Sequence, residues 1–263
     1  MEEKVRLGGM ALANGVLVHG PTAWGCAVRS DDGSIRSASG RKLFAAARLE
    51  NPLVRGPARL LEALAVLPQV KRALPPARLP FERPAVLGAV AATAVAVRAL
   101  RETDRLGATA RELASGVLSA APALFALRGG ELASNHGAEH ISIGSYEHSE
   151  PRPREHERCG SHLVGPLLVT TAAGNVLAGA APARLRRPAR LAAAFGALAA
   201  STELFGWMTR NPSHPLARAL ARPGHELQHR IATAEPTAEQ LAVARTALDA
   251  CLALEDGDDP ADT

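Results

Sequence analysis

The sequence predicts a mainly α-helical protein in which a small N-terminal β unit is followed by a helical membrane bundle and a C-terminal amphipathic helix. Three observations support this: a turn-rich segment at residues 1–40, uncharged apolar runs within residues 84–209, and a capping box, Thr237-Ala-Glu-Gln240, that opens a final helix. The 263 residues are enough for a sizeable core.

The β unit is predicted by a hairpin signature. Asp31-Asp32-Gly33 is typical of a tight turn, and the flanking residues 27–30 and 34–36 suit strands. Residues 41–83 differ, because Arg and Lys punctuate the apolar residues and prolines recur, at Pro52, Pro57, Pro68, Pro75 and Pro76. Proline disfavours a helix interior, so we expect short amphipathic surface helices here, broken at these prolines.

Four apolar runs predict about four membrane helices. Residues 163–183 carry no charge and residues 191–209 carry one, so each approaches the ~20 residues that span a bilayer. Residues 85–97 and 113–127 are also uncharged but shorter. A basic loop, residues 184–190, separates the last two runs. Buried alanine-rich helices of a soluble bundle remain the alternative.

The charge pattern favours the lipid bilayer over nucleic acid as a partner, and the cysteines indicate the compartment. The net charge is +4, but the arginines are dispersed, and the few aromatic residues are not interleaved with them as a single-strand groove requires. Cys26, Cys159 and Cys251 lie far apart, which is typical of a reducing compartment. The apolar runs predict a multi-pass plasma-membrane protein, and because no apolar leader begins the sequence we expect its N-terminal unit to be cytoplasmic. Four crossings, which we favour, place residues 184–190 outside, against the positive-inside tendency, and crossing by the last two runs alone does the same.

A metal site is predicted within an inserted motif loop, residues 128–162. His136 and His140 are four residues apart, so on a helix both imidazoles face one side and can bind one divalent metal, zinc above all. Glu139 projects beside them, where it can take a proton from a metal-bound water. The pattern H-x-x-E-H inverts the zincin signature and shares its logic, although so short a motif also arises by chance.

Further ligands are predicted later in the chain. Glu203 is an acid inside an apolar run, where a charge is costly, so it is either a third metal ligand or the partner of an arginine or of a helix terminus. His156 and Cys159 can add a ligand or orient the others, since imidazole and thiolate both suit zinc.

A second motif lies in the C-terminal segment, residues 210–263, whose acidic tail we expect to be disordered. His225-Glu226-Leu-Gln-His229 is a literal H-E-x-x-H, with two potential metal ligands and a base. A Pro-Gly pair precedes it, which places these histidines in the first turn of any helix there.

Four separated blocks of the sequence resemble the YqhQ-like group of bacterial proteins, and together they cover nearly the whole chain. The blocks are Gly8-Gly9-Met-Ala-Leu-Ala-Asn14-Gly15-Val with His19-Gly20-Pro21 and Trp24, His136-Gly-Ala-Glu-His140 with Tyr146-Glu147, His156-Glu-Arg-Cys159-Gly160-Ser161, and Pro223-Gly224 with Leu227-Gln228 and Glu235-Pro236. The resemblance implies a multi-pass membrane protein that is predicted to be a metal-dependent enzyme. It also implies an acid at the position of Glu203.

The chain departs from this group at several positions. Asn14 and Glu157 stand where the group usually has Glu and Pro. His225, Glu226 and His229 fall where it is typically apolar or aromatic, which weakens the case for the H-E-x-x-H motif.

Three functions are compatible with these residues. The leading one is a membrane enzyme of the hydrolase type, with zinc or another divalent metal held by His136, His140 and Glu203 and with Glu139 as the base. A non-catalytic membrane scaffold would instead close the site with four ligands, His136, His140, His156 and Cys159, because structural zinc sites leave no open position. The third is a metalloprotease centred on His225.

Overall fold

The computed structural model describes residues 4–43, 46, 49–103, 106–119, 121–127 and 130–255. Within these residues the N-terminal region forms an antiparallel sheet whose strands neighbour one another in chain order. The strands are β1 (Gly8–Leu12), β2 (Gly15–His19), β3 (Ala23–Arg29) and β4 (Ile35–Arg41). The predicted hairpin is confirmed as β3–β4, where Arg29 pairs with Ile35 and Gly33 takes a positive φ of 82° in the turn.

The rest of the described chain is mainly helical. The helices are α1 (Pro52–Ala73), α2 (Pro84–Glu102), α3 (Ala108–Ser119), α4 (Ala121–Leu127), α5 (Glu131–His148), α6 (Val164–Gly179), α7 (Arg186–Arg210), α8 (Pro215–Leu227) and α9 (Ala238–Glu255). A short 3-10 turn, Gly160–Leu163, leads into α6, and a π-helical turn, Gln228–Ala232, follows α8. The segment predicted as an inserted loop, residues 128–162, therefore consists largely of α5.

Successive side chains of a strand point to opposite faces of the sheet, so β2 contributes side chains to two cores. Val16 and Val18 of β2 pack with residues of α5 and α9 in one core. Leu17, between them, packs with Val66 and Val70 of α1 in the other. These helices cover both faces of β2 and β3, whereas most of β4 is exposed, and α5, which carries the H-x-x-E-H motif, is held directly against β1.

The terminal helix begins and ends on specific hydrogen bonds. The predicted capping box is confirmed: Gln240 N donates to Thr237 Oγ1 at 3.2 Å, and Thr237 N donates to Gln240 Oε1 at 2.9 Å. At the other end, the Glu255 carboxylate accepts from the main-chain N–H groups of Thr22 and Ala23. The acidic tail that we predicted to be disordered, residues 256–263, lies outside the described residues.

The prediction of short helices broken at prolines is wrong for residues 52–73. They form the single helix α1, with Pro57 and Pro68 inside it. An interior proline costs about 3 kcal/mol, and the burial of Val66, Leu67 and Val70 against the sheet offsets that cost. The helix ends at Ala73, just before the Pro75-Pro76 pair, as the sequence predicts.

Within the described residues, three helices rather than about four are long and apolar enough to cross a membrane: Pro84–Glu102, Gly160–Gly179 and Arg186–Arg210. The predicted run at residues 113–127 falls in α3 and α4, on either side of residue 120, which lies outside the described residues. The basic residues predicted as a loop belong mostly to the first turns of α7, which begins at Arg186.

The three apolar helices leave large side chains uncovered. Leu87 and Val95 of α2, Leu177 of α6, and Leu191 and Phe195 of α7 are each more than half exposed. Helices α6 and α7 pack side by side along their length, with Gly174 close to Ala193. Such uncovered apolar surface is unusual for a protein surrounded by water.

Candidate metal centre

Helix α5 presents its motif residues towards the interior of the fold. His140 is buried at 1% exposure and Glu139 at 5%, and the His136 side chain is 13% exposed. Asn135 ties the helix to the sheet by donating from Nδ2 to the carbonyl of Leu12 at 3.0 Å. The helical spacing therefore gathers His136, Glu139 and His140 on one side, as the sequence predicts.

Cys159 completes a group of potential metal ligands. Within the described residues, His136, His140 and Cys159 form the one group in which three ligand atoms lie within 4.8 Å of one another. Cys159 Sγ lies 3.6 Å from His136 Nε2. Zinc–nitrogen and zinc–sulfur bonds in a tetrahedral site place ligand atoms roughly 3.5 Å apart, so the separation of Cys159 Sγ and His136 Nε2 matches a zinc site.

Main-chain carbonyls orient both imidazoles. His136 Nδ1 lies 2.8 Å from the carbonyl oxygen of Ala232, and His140 Nδ1 lies 2.6 Å from that of Arg154. A carbonyl oxygen only accepts, so each Nδ1 carries the proton and donates it. Each Nε2 therefore keeps a free lone pair, which is the arrangement found in histidines that bind metals.

Cys159 is held at the start of the turn that leads into α6. Its N–H donates to the carbonyl of His156 at 3.2 Å, and its sulfur accepts from the N–H of Ser161 at 3.5 Å. The thiol thus faces His136 from a segment that is anchored on both sides. The apolar helix begins at the next residue, Gly160.

Glu139 lies beside the ligand group without belonging to it. Its carboxylate oxygen is 3.8 Å from His136 Nε2. Burial raises the pKa of Glu139, and the nearby His136 and His156 oppose that shift. Gly9 of β1 leaves the space that this carboxylate occupies, since a Cβ on Gly9 would overlap it. The arrangement suits a carboxyl group that holds a proton more readily than an exposed glutamate does.

His156 faces a different partner. Its Nε2 lies 3.3 Å from Glu147 Oε2, and its Nδ1 accepts from the N–H of Arg158 at 3.3 Å. Glu147 also pairs with the Arg158 guanidinium. Burial raises the pKa of Glu147, but His156 and Arg158 outweigh this and lower it. With both ring nitrogens engaged, His156 packs next to His140, at 5.5 Å between ring centroids, as a neighbour of the ligands.

Glu203 takes the second of its two predicted roles. Arg55 of α1 donates from Nε to Glu203 Oε1 at 2.6 Å, and a second bond joins Arg55 Nη2 to Glu203 Oε2. The prediction of Glu203 as a third metal ligand is therefore corrected, because both carboxylate oxygens face this guanidinium and the ligand group forms without them. Cys159, which we predicted as a further ligand, is the third member of that group.

Replacing Glu203 with glutamine is expected to leave metal binding unchanged. The substitution removes the charge that pairs with Arg55 and leaves the ligand atoms of His136, His140 and Cys159 untouched. Metal content per chain measured by elemental analysis checks this, with Arg55→Gln as the matched control. A Glu203→Gln protein that loses its metal while Arg55→Gln keeps it would restore Glu203 as a ligand.

The H-E-x-x-H residues lie on the surface and do not converge on one point. His225 and His229 are both exposed, with parallel rings 6.3 Å apart between centroids. His229 Nδ1 lies 2.9 Å from Glu155 Oε1, and Glu226 pairs with Arg230 at 2.7 Å. The expectation that these histidines open a helix is wrong, because α8 continues through the Pro-Gly pair and ends at Leu227.

Sequence reasoning missed the groups that orient the ligands. The carbonyls of Ala232 and Arg154 carry no side-chain signal, so no motif could indicate them. The cavity for Glu139 depends on Gly9, whose only signal is its place in a Gly-Gly pair.

Comparison with known families adds a match over the part of the chain that contains this cluster. Residues 132–254 match the model of a family described as a protein of unknown function, DUF1385. The matched region runs from α5 into α9 and includes His136, Glu139, His140 and Cys159. The DUF1385 match is consistent with the YqhQ-like resemblance, and its description assigns no activity. No curated protein and no solved structure matches the chain.

Proposed function

We propose that the chain is a zinc-dependent membrane enzyme of the hydrolase type, in which His136, His140 and Cys159 hold the metal and Glu139 moves the proton. One observation carries this proposal: two imidazole Nε2 atoms with free lone pairs converge with a thiol, beside a buried carboxyl group. Two imidazole nitrogens and one sulfur form a ligand set that binds zinc in preference to harder cations such as magnesium.

The number of ligands favours a catalytic site over a structural one. Structural zinc is usually closed by four protein ligands, whereas catalytic zinc keeps one position for water or substrate. The scaffold alternative needs His156 as the fourth ligand, but both nitrogens of that ring are engaged by Glu147 and Arg158. Three protein ligands then leave one position open next to Glu139.

The chemistry that follows is acid–base transfer at Glu139. A zinc ion held there would act as a Lewis acid and lower the pKa of a bound water to about 7. Glu139 would accept a proton at its carboxylate and return it to the leaving group. A pKa raised by burial suits this exchange, since a group that both takes and gives a proton works best near the operating pH.

The membrane part of the proposal rests on three helices of 19, 20 and 25 residues, whose apolar windows are mostly unburied. Since a helix rises 1.5 Å per residue, each has the length of a hydrocarbon core, about 30 Å thick. The helix Gly160–Gly179 starts one residue after Cys159. The metal centre would therefore lie close to the membrane surface, at the end of an apolar helix.

The chain is expected to stay with membranes after washing with alkaline carbonate and to be released by detergent. The physical reason is that moving three uncovered apolar helices out of lipid exposes their apolar side chains to water, which is unfavourable. Fractionation followed by immunoblotting measures this, with a peripheral membrane protein as the washed-off control. Release by carbonate alone would contradict membrane insertion and return the alternative of a soluble bundle.

The metal itself is tested on the detergent-purified full chain. We expect about one zinc per chain by elemental analysis, removable by a strong chelator and restored by added zinc. A protein that holds no metal even after zinc is supplied would overturn the proposed function.

A further inference from the structure

Gln228 is a buried side chain that contacts residues on both sides of Cys159. It lies in the π-helical turn after α8 and is fully buried, at 0% exposure. Its Oε1 accepts from the N–H of His156 at 2.7 Å. Its Nε2 lies 3.1 Å from the carbonyl of His156, 2.8 Å from Ser161 Oγ and 3.1 Å from His162 Nδ1. These contacts lie on both sides of Cys159.

The same turn also fixes the two histidine ligands. The carbonyl of Ala232, at its end, accepts from His136. The Arg154 guanidinium donates to the carbonyls of Thr233, at 2.5 Å, and His229, at 3.3 Å, while the carbonyl of Arg154 accepts from His140. A π-helical turn is rare and is found frequently at functional sites, where it redirects side chains and carbonyls.

We propose that Gln228 is the positioning residue that sets where the Cys159 thiol stands relative to His136 and His140. The inference rests on the proposed metal site and names what holds it in shape. It also assigns a role within the H-E-x-x-H segment. The buried Gln228 supports metal binding there, whereas the exposed His225 and His229 are not needed for it.

The chemistry of the side chain explains why this position carries an amide. His156 offers both an N–H and a carbonyl, and only a group with a donor and an acceptor side by side can satisfy both. Loss of the amide would leave the buried N–H of His156 without its Gln228 partner and the carbonyl of His156 with the Cys159 N–H alone, and would loosen the segment that carries Cys159. Groups that orient metal ligands typically contribute 10–100-fold to metal affinity.

The test compares Gln228→Ala and Gln228→Glu with the unmutated full chain in detergent. We expect zinc affinity, measured by competition with a chelating dye, to fall roughly 10–100-fold in Gln228→Ala. Gln228→Glu keeps the acceptor for His156 N–H but loses the donors, so its affinity should lie between the two. Cobalt substitution supplies the second readout: a weakened cobalt–thiolate charge-transfer band reports directly on the Cys159 bond.

A matched control separates positioning from stability. Val70→Ala removes a fully buried side chain from the core between α1 and the sheet, away from the ligands. It should lower the melting temperature without changing zinc affinity or the cobalt spectrum. Should Gln228→Ala not fold, Ser161→Ala removes a single partner of Gln228 and is expected to weaken zinc binding in the same direction, to a smaller extent.

The possible results are distinguishable. Zinc binding by the unmutated chain together with unchanged affinity and cobalt spectrum in the Gln228 variants overturns this inference alone. If Ser161→Ala is used instead, an unchanged zinc affinity and an unchanged cobalt spectrum in that variant also overturn this inference alone. Failure of the unmutated chain to bind zinc overturns the proposed function, and the positioning role with it.

Discussion

Replacing His136 and His140 together with alanine is expected to abolish zinc binding, whereas the same replacement at His225 and His229 is expected to preserve it. The first pair contributes two of the three converging ligand atoms, so its loss leaves Cys159 alone. The second pair is exposed, and His229 is already paired with Glu155. We expect the metal content to fall from about one per chain to background only in the first variant.

The measurement is elemental analysis of the purified variants beside the unmutated chain, with helical content followed by circular dichroism. The His225→Ala/His229→Ala protein is the matched control, since it also removes two histidines spaced four residues apart. Loss of zinc only from that control would move the site to the H-E-x-x-H motif. Retention of zinc in both variants would exclude both histidine pairs as ligands.

Replacing Glu139 with glutamine is expected to keep the zinc and to lower turnover by roughly 10²–10⁴-fold, the usual contribution of a general acid–base group. Glutamine has nearly the same shape but cannot accept the proton. The ligand atoms of His136, His140 and Cys159 are untouched by this change. A panel of small ester, amide and phosphoester substrates, first screened against the unmutated protein, supplies the activity to be measured.

Gly9→Ala approaches the same carboxyl group from the sheet. An added Cβ at Gly9 would overlap the Glu139 carboxylate and push it aside, so we expect reduced turnover with zinc retained. Gly88→Ala is its control, because a Cβ at Gly88 meets no atom within 4 Å. A fully active Glu139→Gln protein would remove Glu139 from the mechanism.

Local features of the structure were predictable from the sequence, because their causes lie within a few residues. The hairpin follows from the turn sequence at Gly33, and the start of α9 from the pair Thr237 and Gln240. The common face of His136 and His140 follows from the helical period alone.

The remaining features depend on contacts between distant parts of the chain. Arg55 and Glu203 are 148 residues apart, and nothing near Glu203 in the sequence distinguishes a metal ligand from an ion-pair partner. The prolines of α1 predict breaks, but burial against the sheet decides otherwise. Cys159 was one of several candidate ligands. The fold brings its segment close to His136 and His140 of α5, and this proximity distinguishes it from His156 and Glu203.

The placement of the three cysteines has a consequence for oxidation. Cys26 and Cys251 are fully buried in different cores of the sheet region, and burial raises the pKa of Cys26 to about 12 and that of Cys251 to about 11, so both stay protonated. Cys159 is only partly buried, so it is the thiol that an oxidant would reach first, whereas the other two are fully buried. If zinc binds as proposed, zinc and oxidants would compete for one sulfur atom, and a chain without zinc would be open to irreversible oxidation at Cys159.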